Sequence, residues 1–212
     1  VAVTGKGRRT VDDYRLDVPE NWYPVPLDGQ LTLENWARET VQDAARLGSL
    51  EPQAAAAGEL LQLAERFSAE HEHNPFLSAA VMMRIDETVS VGAVLTYQLV
   101  DLDEDDGPAA FEAQLAEFGA QYVPGMRVRA LESWRAQVAA GELVGAQYLV
   151  ESREIGETGA WLEQRTLFGV FPSEAAEMLT FSFTSSDMAA FADMRSETQA
   201  IVESLQVDLV AA

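Results

Sequence analysis

Acidic oxygen ligands crowd one short stretch of the chain. Asp101, Asp103, Asp105 and Asp106 alternate there, Gly107 follows, and Glu112 falls where a calcium loop places its twelfth ligand. Calcium is held by clustered carboxylates, and alternating acids in a turn aim several of them inward. The rest of the frame departs from that pattern. The sixth position, where a sharp turn needs glycine, is Asp106, and the eighth, usually apolar, is Pro108. The stretch therefore reads first as a solvated strand-to-helix turn whose acids favour the start of the next helix. Calcium on Asp101, Asp103, Asp105 and Glu112 is the alternative, and no cofactor is expected.

Other reactive residue types are few. The two histidines, His71 and His73, are two positions apart, whereas a helical zinc pair needs four. They read as a helix C-terminus, where a histidine interacts favourably with the last carbonyls. Ser182, Ser185 and Ser186 sit near a strand-to-helix junction, but no G-x-S-x-G elbow is present. A serine triad would also need one of those two histidines. Gly5, Lys6 and Gly7 lack the frame of a phosphate cradle. With no cysteine, thiol catalysis, disulfides and Cys-ligated zinc are excluded. The expectation is a protein that is not an enzyme.

Charge narrows the partners. The 35 acidic residues outnumber 14 basic ones, for a formal charge of −21. Such a surface repels nucleic-acid phosphates and anionic lipid and attracts basic partners. The expected partner is another protein, basic or secreted, with no nucleic acid and no membrane insertion. No apolar run approaches the ~20 residues of a membrane span. No apolar segment follows Lys6, Arg8 and Arg9, so no secretory signal is read and a cytoplasmic location is expected.

The elements that must position any site follow from periodicity. Tyr14–Pro19 alternates as a short strand. Pro19, Pro24 and Pro26 then punctuate an extended segment carrying Trp22 and Tyr23, which belongs at a sheet edge or in a loop. Helices are predicted over Leu31–Leu47, N-capped by Thr32 and closed by Gly48, and over Pro52–Glu70, with Pro52 at its first position. Strands follow at Phe76–Asp86 and Ser90–Leu102. The second is apolar on both faces, as a central strand would be. A helix at Pro108–Gly119 precedes strands at Arg127–Ala136, Glu142–Glu154, Trp161–Phe171 and Glu177–Thr184. In the last of these Leu179, Phe181 and Phe183 share one face, and Thr180, Ser182 and Thr184 the other. A final amphipathic helix is predicted over Asp187–Leu205, with Ser186 as its N-cap.

These runs describe an α+β fold: a single antiparallel β-sheet flanked by helices, with the C-terminal helix packed across it. One domain is expected over residues 1–212, with residues 1–12 a flexible N-terminus and residues 31–74 an inserted helical pair. Of the four tryptophans, Trp36, Trp134 and Trp161 fall in periodic elements that would pack them. Trp22 does not, and with Tyr23 it is the candidate partner contact.

The run from Tyr14 through Pro19 to Trp22 resembles the start of PsbP-like proteins: a short strand, a proline, then a tryptophan. The ending, Phe191 followed by Ile201 to Leu205, is similar to the close of that fold, a helix laid on an antiparallel sheet. The group includes the photosystem P subunit, bacterial DcrB and LpqN types and the Eag-type secretion chaperones. The resemblance covers the two ends and the strand order between them, and the helical pair is longer than the group's. It implies a non-enzymatic adaptor or chaperone-like role and no catalytic residues. The element order also resembles helix-grip proteins, which hold apolar ligands beneath the last helix. That alternative would be a cavity lined by Leu179, Phe181, Phe183, Phe191 and Ile201.

Overall fold

Strands from both halves of the chain build one large sheet. The computed structural model describes residues 9–103, 105–153 and 160–211. In chain order the elements are β1 (Arg9–Arg15), β2 (Trp22–Pro24), α1 (Leu33–Gly48), α2 (Ala54–His73), β3 (Ser78–Ile85) and β4 (Val89–Asp101). There follow α3 (Pro108–Ala120), β5 (Met126–Val138), β6 (Gly141–Ser152), β7 (Trp161–Phe171), β8 (Glu177–Ser185), α4 (Met194–Glu203) and β9 (Gln206–Ala211). Seven strands form a sheet in the order β2-β3-β4-β8-β7-β6-β5, every neighbouring pair antiparallel. The α+β class and the antiparallel pairing match the expectation. The single sheet does not: β1 and β9 pair with each other in a separate two-stranded sheet.

The pleat sends alternate residues to two differently covered faces. On one, Leu95, Leu143, Phe168, Leu179, Phe181 and Phe183 form a buried layer under Met194, Ile201 and Val202 of α4. The β1–β9 pair lies on the same side and adds Tyr14 and Val207. On the other face α1 and α2 cover Ala79, Val81 and Met83 of β3. Farther along that face, Phe111 and Leu115 of α3 cover Val144 and Ala146 of β6. As predicted for a central strand, β4 supplies Ala93 and Leu95 to one layer and Val91 and Val94 to the other.

Both chain ends depart from the sequence reading. Arg9–Asp12, expected within a flexible N-terminus, belong to β1; residues 1–8 of that expected terminus lie outside the described residues. Arg9 N–H donates to the Glu174 carbonyl at 2.7 Å, and Val11 N–H donates to the buried Glu177 carboxylate at 3.1 Å. A register shift between Val11 and Asp13 breaks the alternation that would have marked this strand. At the other end the predicted helix Asp187–Leu205 shortens to the ten residues of α4, and its N-cap is Asp193, not Ser186. Local side-chain bonds hold the chain out of helix before that point. Ser185 Oγ donates to the Gly92 carbonyl at 2.6 Å and accepts from Asp187 N–H at 3.1 Å, while the Asp187 carboxylate accepts from Ala189 N–H at 2.9 Å. After Ser204 the chain runs into β9, whose Val207 and Leu209 alternate with exposed Gln206 and Asp208.

Helix ends in the first half follow the expected chemistry with small offsets. Thr32 caps α1 by accepting from Asn35 N–H at 3.4 Å. Gly48 is the last helical residue, and Ser49 takes the left-handed closing position at φ 54°. The second helix starts at Ala54, after Pro52. Among the described residues no helix is long and apolar enough to cross a membrane.

Candidate functional site

The residues that suggested chemistry are largely spent on structure. Asp101 ends β4 opposite Glu177, and Asp105 is exposed in the following turn. The Asp106 carboxylate accepts from Asp103 N–H at 2.9 Å, closing that turn on itself. Glu112 faces away along α3 and pairs with Arg135 of β5 at 2.8 Å. Asp101, Asp103, Asp105 and Glu112 are therefore not brought to one point, and among the described residues no three His, Cys, Asp or Glu side chains converge to hold a metal. His71 Nδ1 donates to the Leu77 carbonyl at 2.9 Å and His73 Nδ1 to the Ala69 carbonyl at 2.8 Å, both terminating α2.

The two candidate partner residues separate across the edge strand. The Tyr23 hydroxyl donates to Asp43 of α1 at 3.1 Å. Burial, then the Asp43 carboxylate, pushes its pKa up to about 12. Trp22 points to the opposite face, is 4% exposed, and stands edge-on to Phe183 with ring centroids 5.7 Å apart. Its remaining surface, with Met82 of β3, forms the floor of an open groove of about 520 Å³.

Three segments far apart in sequence build that groove. The connection from β1 to β2 supplies one wall through Val18 and Pro19. It is tied to the end of α4 where Asp17 N–H donates to Ser204 Oγ at 3.0 Å and Ser204 Oγ donates back to the Asp17 carbonyl at 3.1 Å. Ala200 and Ile201 of α4 form the facing wall, and Phe191 in the preceding loop closes one side. The acids Asp17 and Glu197 stand on the rim, and neither makes an ion pair among the described residues. Of the expected cavity lining, Leu179, Phe181 and Phe183 are fully buried in the packed layer, while Phe191 and Ile201 reach the groove.

The loop carrying Phe191 is clasped to the sheet. Arg84 at the end of β3 forms an ion pair with Asp187, their side chains 30% and 33% exposed. The Ala189 N–H and then Arg84 hold the Asp187 carboxyl below its ordinary value of 3.8. A depressed carboxyl stabilises the fold above its unfolded pKa, and that contribution is lost as pH falls through the folded value. Asp187→Asn should therefore cost about 1 kcal/mol at pH 7, a figure already reduced for a side chain open to water. In urea unfolding the gap from the native protein should close as the pH drops below 3.8. A gap independent of pH would show that the clasp does not work by charge.

The tryptophans sort differently from their sequence context. Trp36 is 7% exposed, and half-buried Trp134 lies under the Arg195 guanidinium, 3.9 Å from the ring centroid. Trp161 is 44% exposed, and Tyr122, after α3, is 88% exposed. Sequence reasoning missed these two exposed aromatics because Trp161 opens a regular strand and Tyr122 follows a regular helix. No family model matches this chain, and no curated protein shows significant similarity to it.

Proposed function

We propose that this protein is a non-enzymatic, protein-binding module and that the groove beside Trp22 is its docking site. One observation carries the reading: an open, mostly apolar groove of about 520 Å³ with two acids on its rim. The volume suits one large apolar side chain with its flanking backbone. Asp17 and Glu197 select lysine or arginine beside that side chain, and the charge of −21 steers such a partner in from a distance. The open ends favour a polypeptide over an enclosed small apolar ligand. An adaptor role is also what the resemblance to PsbP-like proteins implies.

Selection from a peptide display library tests this. Binders should carry a large apolar residue beside Lys or Arg and should weaken as salt rises. Ala200 is exposed on the groove wall, so Ala200→Trp should fill the groove without disturbing the core. The substitution should weaken binding by about tenfold or more, equivalent to about 1.4 kcal/mol. A selection that returns no binder, or binders indifferent to both salt and Ala200→Trp, would refute the reading.

A further inference from the structure

The large sheet ends differently at its two edges. β2 is three residues long and closes on Pro24. β5 runs thirteen residues without a proline, and among the described residues no strand pairs beyond it. A long open edge is a template for a further strand. Arg153 N–H donates to the Gly125 carbonyl at 2.8 Å, and antiparallel bonding alternates from that pair. Arg127 and Arg129, opposite Glu151 and Leu149, therefore bond to β6, whereas Met126 and Val128 turn their main-chain groups outward. The Met126 N–H is taken by the Val123 carbonyl at 3.0 Å. Val128 thus offers a donor and an acceptor at the free edge, beside the Met126 carbonyl.

Side chains along the same stretch sort by face. Met126 and Val128 lie on the α3 side, opposite Ser152 and Val150 of β6. With Gly119 and Tyr122 they line an open cleft of about 460 Å³. Arg127 and Arg129 lie on the α4 side with Glu151, whose carboxylate Arg129 and Arg153 share. Arg127 has no carboxylate of its own among the described residues. Those residues leave a local excess of positive charge on a chain of −21.

We propose that Met126–Arg129 receives a strand from another protein: an extended segment with acids at alternate positions and an apolar residue between them. Laid antiparallel, like every pair in this sheet, it sets that apolar residue opposite Val128 and drops its side chain toward the cleft on the α3 side. The residues flanking it then stand opposite Arg127 and Arg129 on the α4 side, where a carboxylate gives Arg127 the partner it lacks. Arginines on an edge also reject other strands, because a copy of this same segment would set arginine against arginine. The register shift between Arg129 and Glu132, with Ala130 at φ 50°, ends the pairing there. The site is independent of the groove, which lies at the opposite edge of the sheet beside β2.

Fluorescence anisotropy with a labelled peptide of about six alternating Glu and Val residues tests the proposal. At about 0.15 M salt, repulsion from distant acids is screened beyond about 8 Å, so the arginines at the edge dominate. The peptide should bind saturably below about 1 mM, and the Val128 amide should exchange more slowly in its presence. A peptide of the same composition, with its Glu and Val residues in two blocks, should bind about tenfold more weakly or worse. Val128→Pro removes only an outward N–H, so it should fold, and it should weaken binding by about tenfold or more. Arg127→Glu, at an exposed side chain, should do the same. Methylating the amide nitrogens of the peptide's Val residues, which face β5, should abolish binding, while methylating those of its Glu residues should not. That pair of peptides tests the main-chain bonds even if circular dichroism shows Val128→Pro unfolded. No binding by the alternating peptide, equal binding by the block peptide, or binding undiminished in folded Val128→Pro, in Arg127→Glu or by methylation at Val would each overturn the proposal.

Discussion

Gly141→Ala should lower stability by about 3 kcal/mol or more, a loss of about 6–12 °C in Tm for a chain of this size. Gly141 opens β6 after the two-residue turn from Val138, and its φ is +150°, a region that L side chains rarely adopt. A Cβ there would overlap the Phe171 carbonyl oxygen and lie 2.7 Å from the carbonyl carbon and 2.8 Å from the Pro172 Cα. These are backbone atoms at the end of β7, so no side chain can swing aside. Relief would require the β5–β6 hairpin to part from β7 where Glu142 pairs with Phe171. Gly58 provides the control. It is exposed within α2, and a Cβ there meets nothing within 4 Å. Gly58→Ala should raise stability by up to about 1 kcal/mol through helix propensity alone. Thermal melts of the two variants should move in opposite directions, and a Gly141→Ala melt like that of the native protein would show that the hairpin is not held as described.

Phe183→Ala should cost about 3–5 kcal/mol, or about 6–20 °C in Tm. Phe183 is fully buried and stands edge-on to both Trp22, at 5.7 Å, and Phe168, at 6.0 Å. Removing the ring leaves a cavity that the rigid sheet cannot close, and it strips one aromatic partner from each neighbour. The effect should extend to function, because Trp22 is the floor of the groove. In Phe183→Ala the indole can sink into the vacated space, so a peptide selected on the native groove should bind more weakly. Phe183→Leu keeps most of the volume and should restore most of the binding. Equal binding by the native protein and both variants would mean that the groove does not depend on a supported Trp22.

The parts of this fold legible in the sequence are those with a short repeat. The strand pattern of Leu179, Phe181 and Phe183 follows from side chains alternating on a pleat, and its burial beneath α4 came out as read. The cap at Thr32 was legible because one hydroxyl and one amide three residues on suffice to make it. The start of α4 was misplaced because apolar spacing continues back through Met188 and Phe191, while Ser185 and Asp187 bind local backbone groups that a helix would have claimed. The first strand, expected at Tyr14–Pro19, runs instead over Arg9–Arg15, because the register shift between Val11 and Asp13 hides the period of its first half and residues 16–19 leave the sheet.

The sequence by itself determined the class: an acidic α+β chain with antiparallel strands, laid down by local periodicities of two and 3.6 that need no knowledge of distant residues. Only the tertiary structure decided that β9 pairs with β1, that Trp22 is covered while Trp161 is open, and that residues 17–22 meet residues 191–201 around a groove. Those outcomes depend on contacts across nearly the whole chain, such as Asp17 with Ser204. A side chain's type and its neighbours in sequence do not encode which distant surface will cover it.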